Sequence, residues 1–486
     1  MPDSGPTLEP TRVGIVGGGL CGCSTAYFLR KLMGQNVSIT LFEKSGRLGG
    51  RIRGEKVGEK FYETGGTIFL GSHKYINSFV TEFGLEKVNY AAGPRGLAFY
   101  DGNQHLSYTT LQRPSFMTKV KFLWLYGRDF FKFKQHTRKT AEAFAKIYEQ
   151  QDEGKCFGTP ADLLTSLSAD FLRMTGVTFG NWLENIIGLR RRFCEEIAYG
   201  TVSLCYGQNL GLHAFAGMLA SAGGGGTLYS LQDGNEQLPR ALLRSALHSN
   251  PADSPHSFVH ADVKTLSPGK NRRFCLEYTT DSDSKLKSAE FDYVVLAHPL
   301  NQNASISAPK GLLPPLLEYK TVDSTLISGE LDPEKFGFPS DESFDRLKGL
   351  SILPTKRGYE DDRNTLFKAL MKVRSVAAKE TEDGGAPSCW VTYSLPERCL
   401  YPGQDMCSSY FKKGVLIRSS RWLAYPDLSP LPNPSRTMGK FILSPGLIYA
   451  NALERAACSM ELAVISARNA ALIIHTETTA NQEQAP

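Results

Sequence analysis

The chain has 486 residues, with 55 lysines and arginines against 49 aspartates and glutamates, a net charge of +6, and 41% hydrophobic and 10% aromatic content. That length allows roughly two to four domains around a large core, and the composition is that of an ordinary soluble enzyme rather than a disordered, collagenous or membrane-spanning chain. So small a positive charge, with no finger or RNP-type signature, argues against a nucleic-acid-binding protein.

The start, "MPDSGPTLEPTR", is polar and lacks both a basic n-region and an apolar h-region. It does not read as a secretory signal, and no window reaches the ~18 apolar residues of a spanning helix. The expectation is an intracellular protein, cytoplasmic or peripheral to an internal membrane. The two sequons, at Asn36 and Asn303, carry no weight without secretion. Ten cysteines, at 21, 23, 156, 194, 205, 275, 389, 399, 407 and 458, contain no C-x-x-C and follow no regular spacing. That speaks against a zinc site or a disulfide framework.

Residues 12–16, "RVGIV", read as a short buried strand, followed at once by Gly17, Gly18, Gly19 and Gly22. With 46 glycines in the chain, a bare G-x-G-x-x-G has roughly 0.4 chance matches, so context must decide. The context is present: "LCGCSTAYFLRKLM" reads as a helix ending before Gly34, and "NVSITLFEK" as a second strand ending in Glu43. This β–loop–α–β order suits a dinucleotide. Gly17 permits the tight turn, Gly19 lets the backbone approach a pyrophosphate, and Gly22 lets helix and strand pack closely. The helix N-terminus offers free N–H groups and its positive dipole end to phosphate. Glu43 is placed to accept hydrogen bonds from the ribose hydroxyls, and no arginine invites a 2′-phosphate.

The next segment, "EKSGRLGGRIR", sets Lys44, Arg47, Gly49, Gly50 and Arg51 just after that carboxylate, a doublet suited to a loop whose N–H groups touch the same pyrophosphate. "FYETGGTIF" follows, with Glu63, Gly65 and Gly66; a second pair of small residues suits a backbone passing close to a flat ring.

Across 121–134, Phe122, Leu125, Tyr126, Phe130 and Phe133 fall near one helical face and Lys121, Trp124, Arg128 and Lys132 on another. Three readings stand: a core helix with a solvated basic face, a lid over an apolar pocket, or a helix within 119–139 that rests on a membrane. Arg190–Arg192 reads as a solvated face, with the grip of a substrate carboxylate as the functional alternative. His256 and His260 sit in a loop-to-strand segment without ligand geometry, so no metal is expected. Residues 379–388 read as an exposed loop, and 1–9 and 477–486 as disordered tails.

The additions after Glu43 resemble the FAD-dependent flavoproteins of the amine-oxidase type. The resemblance continues through "LQDGNEQLPRALL" (231–243), through "HADVKTL", where Val263 stands at the adenine-contacting backbone, and through "EFDYVVLAHPL" (290–300). "GLIYANALERAACSMELAVISARNAALII" resembles the closing flavin motif; Ala452 replaces a usual glycine, Glu454 supplies the acid, and Met460 and Glu461 match the pair at the flavin edge. The resemblance implies FAD as cofactor. The implied fold class is α/β: a discontinuous Rossmann-type FAD-binding domain, glutathione-reductase/amine-oxidase-like, at 10–80, 225–300 and 440–476. A substrate-binding α+β domain would occupy 81–224 and 301–439.

A narrower resemblance rests on residues 119–151, "CYGQNLGLHAFAG" (205–217), "LYSLQDGN" (228–235), "RWLAYPDLSP" (421–430) and "NALERAACSMELAVISARNAAL". These look like the prenylcysteine oxidases, also called prenylcysteine lyases, over about residues 10–475. The resemblance implies an FAD-dependent oxidase that takes a hydride from the prenyl carbon bonded to sulfur, releasing free cysteine, a prenyl aldehyde and, with dioxygen as acceptor, hydrogen peroxide. The partner is then a lipophilic prenylated small molecule, and Tyr206, Trp422 and Tyr425, in family-like stretches, line its pocket. Known members carry a signal peptide that this start lacks. The same hydride chemistry on another prenylated molecule, such as a prenylated phenol in a biosynthetic pathway, is therefore the second reading. No catalytic acid or base and no protein partner is assigned.

Overall fold

The structure is a computed structural model and describes residues 9–89, 96–102, 105–110, 120, 123–223, 226–247, 258–337, 350–377 and 388–483. Lys121, Phe122, His256 and the loop at 379–387 lie outside the described residues.

Two large sheets organise the chain. The first has eight strands, and its centre is parallel: 258–268, 37–43, 11–16, 293–296 and 447–449 lie side by side in that order. The central strand, Thr11–Val16, is buried from Val13 onward and hydrogen-bonds on both sides, which explains its unbroken aliphatic run. The helix Leu20–Met33 follows it and ends at Gly34, whose φ of +55° reverses the chain. It is buried over most of its length, wedged against the closing helix Met460–Glu483. Cys23 and Ala26 of the first helix and Ala467, Ala470 and Ala471 of the closing helix are all fully buried in one core.

The closing helix runs through residues 477–483, which the sequence assigned to a disordered tail. Thr478 and Thr479 bond back to the carbonyls of Ile474 and His475, and Glu477 meets Tyr293, so the last turns have partners that composition alone does not reveal.

The second sheet has seven strands, in the order 411–426, 319–331, 389–394, 367–373, 350–354, 96–100 and 105–110. The sixteen-residue strand Phe411–Pro426 pairs antiparallel with Tyr319–Leu331 along its whole length. The helix Tyr199–Tyr206 packs on its 350–354 and 367–373 strands. The two sheets meet at the glycine loops of the first: Ser324 donates to the Thr64 carbonyl (2.9 Å), and Arg51 donates to the Ala424 carbonyl (2.8 Å).

Candidate active site

The cradle is built by backbone. Gly17 has φ +115° and donates its N–H to the Phe42 carbonyl (2.8 Å), locking the first turn to the second strand. A Cβ at Gly22 would stand 1.9 Å from the Gly17 carbonyl oxygen, so helix and loop can approach only with glycine there. Gly49 donates to the Gly18 carbonyl (2.9 Å), and Gly19 and Gly49 form a parallel bridge, which brings the second glycine loop over the first. A Cβ on Gly19 would meet nothing nearer than Gly50 Cα at 3.9 Å, so an open face lies before the helix N-terminus. The first N–H groups of Leu20–Met33 point there without a side-chain cap. An anionic diphosphate fits this face.

Around it, Glu43 accepts hydrogen bonds from Gly18 N–H (2.7 Å) and from Ser45 N–H (2.8 Å) and Oγ (2.6 Å), so its carboxylate is held at the rim. Lys44 is exposed, with its carbonyl against His260 Nε2. Val263 lies three residues beyond His260, which is in register with Glu43; it is buried and pairs with Tyr278. Arg47 turns into its own loop, donating to the Ile52 carbonyl (2.8 Å) and pairing with Glu236 (3.2 Å). It clasps its own loop.

Gly66 donates to the Arg51 carbonyl (2.9 Å), and a Cβ on Gly65 would sit 2.3 Å from that same oxygen. The 51–53 and 64–67 segments therefore lie backbone to backbone, with Gly66 facing the Met460 side chain. Glu461 is buried and accepts from the N–H groups of Tyr75 (2.7 Å) and Ile76 (3.1 Å) and from the Tyr148 hydroxyl (2.8 Å). Its carboxylate caps the helix Lys74–Glu82; burial raises its pKa against those donors. That leaves Met460 at the Gly66 edge.

Glu454 is the polar hub between the sheets. Arg51 pairs with it, and Tyr319 O–H and Asn451 Nδ2 (2.9 Å) donate to it. Burial opposes charge on Arg51, and Glu454 outweighs it, so the guanidinium is held firmly protonated. Burial first and Glu454 second drive the Tyr319 hydroxyl and the Cys458 thiol well above their usual ranges, so both stay neutral. Beside this hub, Tyr206 and Tyr425 pack edge to face with centroids 5.2 Å apart, and Tyr206 O–H donates to the Cys458 carbonyl (3.4 Å). Trp422 is half-buried on the same strand as Tyr425, its indole N–H buried without a partner among the described residues. Sequence reasoning missed Tyr319 and Asn451. The i, i+3 spacing of Asn451 and Glu454 was a readable signal; Tyr319, distant in sequence, had none. Among the described residues no group of three or more His, Cys, Asp or Glu side chains converges as a metal site.

The doubly wound sheet, its double-glycine cradle and the opposing mixed, mostly antiparallel sheet define a flavoprotein-type oxidoreductase of the amine-oxidase fold. In overall fold the chain is similar to cyclohexylamine oxidase from Brevibacterium oxydans (TM-score 0.60, 14% identity, covering 97% of this chain and all of that one). It is likewise similar to a putrescine oxidase (TM-score 0.58, 15% identity, 98% and 100% covered). Residues 15–83 match the NAD(P)-binding Rossmann-like domain. Residues 111–485 match the prenylcysteine lyase family, and the chain belongs to it. It is 28% identical to prenylcysteine oxidase 1 of Rattus norvegicus over 98% of this chain and 91% of that protein. It is also 28% identical to prenylcysteine oxidase 1-like of Bos taurus (96% and 90% covered).

Proposed function

We propose that this protein is an FAD-dependent oxidase that cleaves the thioether of a prenylcysteine. The observation that carries this is the Tyr206–Tyr425 wall set against the closing motif at Cys458 in a chain of the prenylcysteine lyase family. Bound FAD supplies a two-electron acceptor. Gly17–Gly19, Gly22, Gly49 and Gly50 hold its diphosphate, Glu43 its ribose, Val263 its adenine end, and the Arg51–Glu454 pair with Gly65, Gly66 and Met460 its ring end. Residues 10–80, 225–300 and 440–476 form the cofactor domain; 81–224 and 301–439 form the substrate domain.

The reacting carbon is allylic and bonded to sulfur, so loss of hydride leaves a cation stabilised from both sides. Water adds to it and releases a proton; the hemithioacetal then breaks its C–S bond, giving cysteine thiol and prenyl aldehyde. With dioxygen as terminal acceptor, thioether, dioxygen and water become thiol, aldehyde and hydrogen peroxide. No strong base is required. The wall's task is to position the carbon and exclude bulk water. Burying a fifteen-carbon chain contributes on the order of 10 kcal/mol gross, at ~0.8 per CH₂, before binding costs. The family match does not favour cyclisation of a prenylated phenol. Anaerobic bleaching of the flavin by farnesylcysteine, beside a farnesylated phenol, tests the choice.

The surface at 120–139 supports a membrane-resting delivery route. Among the described residues no helix is long and apolar enough to cross a membrane. Yet Trp124 is 81% exposed and Phe131 63%, with Leu123 and Ile186 also exposed and Arg128, Lys132 and Lys134 beside them. Apolar residues ringed by cations suit an anionic bilayer surface. Flotation with anionic vesicles tests this: Trp124→Ser with Phe131→Ser abolishes flotation if the patch docks there, and unchanged flotation rejects the route.

A further inference from the structure

The strand Phe411–Pro426 stands at the end of its seven-stranded sheet. It pairs with Tyr319–Leu331 on one side, and its other side has no strand partner among the described residues. An open edge offers a row of N–H and C=O groups to a further strand. Register assigns its side chains to two faces. Leu416 and Phe411 stand opposite Ile327 and Leu331, which belong to one core cluster. Arg418, Val415 and Lys413 stand opposite Leu326, Ser328 and Glu330; Leu326 belongs to the cluster on the other face, where Ile417 also packs.

The two faces differ in chemistry at the edge. On the first, Leu416 is 46% exposed and lies against the start of the helix Pro402–Tyr410, where a Cβ on Gly403 would stand 2.4 Å from it. Leu400 (73% exposed) and Tyr401 (68%) lead into that helix, so three large apolar side chains gather beside the open edge. On the second, exposed Lys413 and Arg418 flank Val415, which is 66% exposed. Arg418 shares Glu55 with Arg53 (3.4 and 3.1 Å), and Lys413 has no ion pair among the described residues.

Cations on an edge often guard it against pairing. A guarded edge has no need of exposed apolar side chains, and this one has four. Three kinds of occupant compete for it. The hydrocarbon of a bilayer would leave the edge's N–H and C=O groups unsatisfied. A second copy of the strand brings no counter-charge: residues 411–426 hold Lys412, Lys413, Arg418 and Arg421 and no acid, so cations would face cations in either strand direction. An extended segment with alternating side chains meets both faces at once, apolar groups toward Leu416, Leu400 and Tyr401 and carboxylates toward Lys413 and Arg418.

We propose that the open edge at 413–418 takes up an acidic, extended segment of another protein as an added strand. The proposal stands apart from the thioether oxidation.

The test uses the FAD-loaded full chain and a fluorescein-labelled heptapeptide, Glu-Leu-Glu-Val-Glu-Leu-Glu, followed by anisotropy. It is expected to bind at least about tenfold more tightly than the same peptide with lysine for glutamate. Methylating its backbone nitrogens should abolish binding, because the added strand is held by its N–H groups. Lys413→Glu, and separately Leu400→Ser with Tyr401→Ser, should each weaken binding at least about fivefold; all three positions are exposed, so the fold tolerates the changes. Equal binding of the glutamate and lysine peptides, binding that survives methylation, binding unchanged in both variants, or no binding by the wild type overturns the proposal. So does a dimer in sedimentation that these variants dissolve, which assigns the edge to a second copy. Flotation with anionic vesicles that they abolish assigns it to a bilayer and overturns the proposal as well.

Discussion

Replacing Glu454 with Gln removes the charge at the hub and almost nothing else. The amide has nearly the same volume, and its oxygen still accepts from Tyr319 or Asn451, but Arg51 loses its counter-ion. Breaking a buried pair costs about 3–5 kcal/mol. The Arg51 side chain is 35% exposed, so solvent takes up part of the charge, and about 2–3 kcal/mol is the discounted figure. The amide N–H₂ also faces groups that already donate, Tyr319 O–H and Asn451 Nδ2, which adds about 1 kcal/mol. The sum is about 3–4 kcal/mol. At ~2.1 cal/mol/K of unfolding entropy per residue, a chain this long shifts by about 1 °C per kcal/mol, so Tm falls by about 3–4 °C. Because the hub joins the closing motif to the Arg51 loop, the same loss appears in cofactor retention as a roughly hundredfold weaker FAD Kd. Flavin-fluorescence melting and the FAD content of purified protein read both. A double-mutant cycle with Arg51→Gln should return a coupling above about 1 kcal/mol. Wild-type FAD content and Tm in Glu454→Gln, or additive single variants, would refute the reasoning.

Three further outcomes are expected. Gly22→Ala drives a Cβ to 1.9 Å from the Gly17 oxygen, where only backbone displacement relieves it; overpacking of this kind costs about 1–3 kcal/mol and should yield protein purified largely without flavin, as its absorbance will tell. Glu43→Ala removes the rim carboxylate and frees Gly18 N–H, so FAD occupancy should fall sharply; full occupancy would reject Glu43 as the ribose acceptor. Burial raises the Glu63 carboxyl from its ordinary 4.5 to about 8, so the folded state holds a proton that the unfolded chain releases between those values. Stability therefore falls as pH rises through that window, at up to ~1.4 kcal/mol per pH unit, and denaturant titrations of Glu63→Gln should show a shallower decline.

The first forty residues were legible because their physics is local. A buried strand, glycines with one job each and a helix stopped at Gly34 are consecutive, and the structure repeats that order. The motifs told less about side chains whose partners come from far away. Arg47 reads only as a residue of the cofactor-binding glycine loop; its partners, Glu236 and the Ile52 carbonyl, are not visible in the motif. Glu461 reads as a flavin-edge acid, yet its oxygens cap a helix nearly four hundred positions earlier (|i−j| 386). Tyr319 carries no local signature; register between strands brings it to the hub. On 121–134 the pattern divided the helix correctly for Tyr126 and Phe133, which are buried, but placed Phe130 on the apolar face although it is 38% exposed. The ten cysteines stand free in the structure.

The most direct test of the central claim is the absorbance of the oxidised flavin in the purified protein, mixed anaerobically with farnesylcysteine. Thioether oxidation predicts bleaching, with one free thiol and one farnesal formed per flavin reduced. A spectrum unchanged by farnesylcysteine in protein that retains its flavin would contradict it.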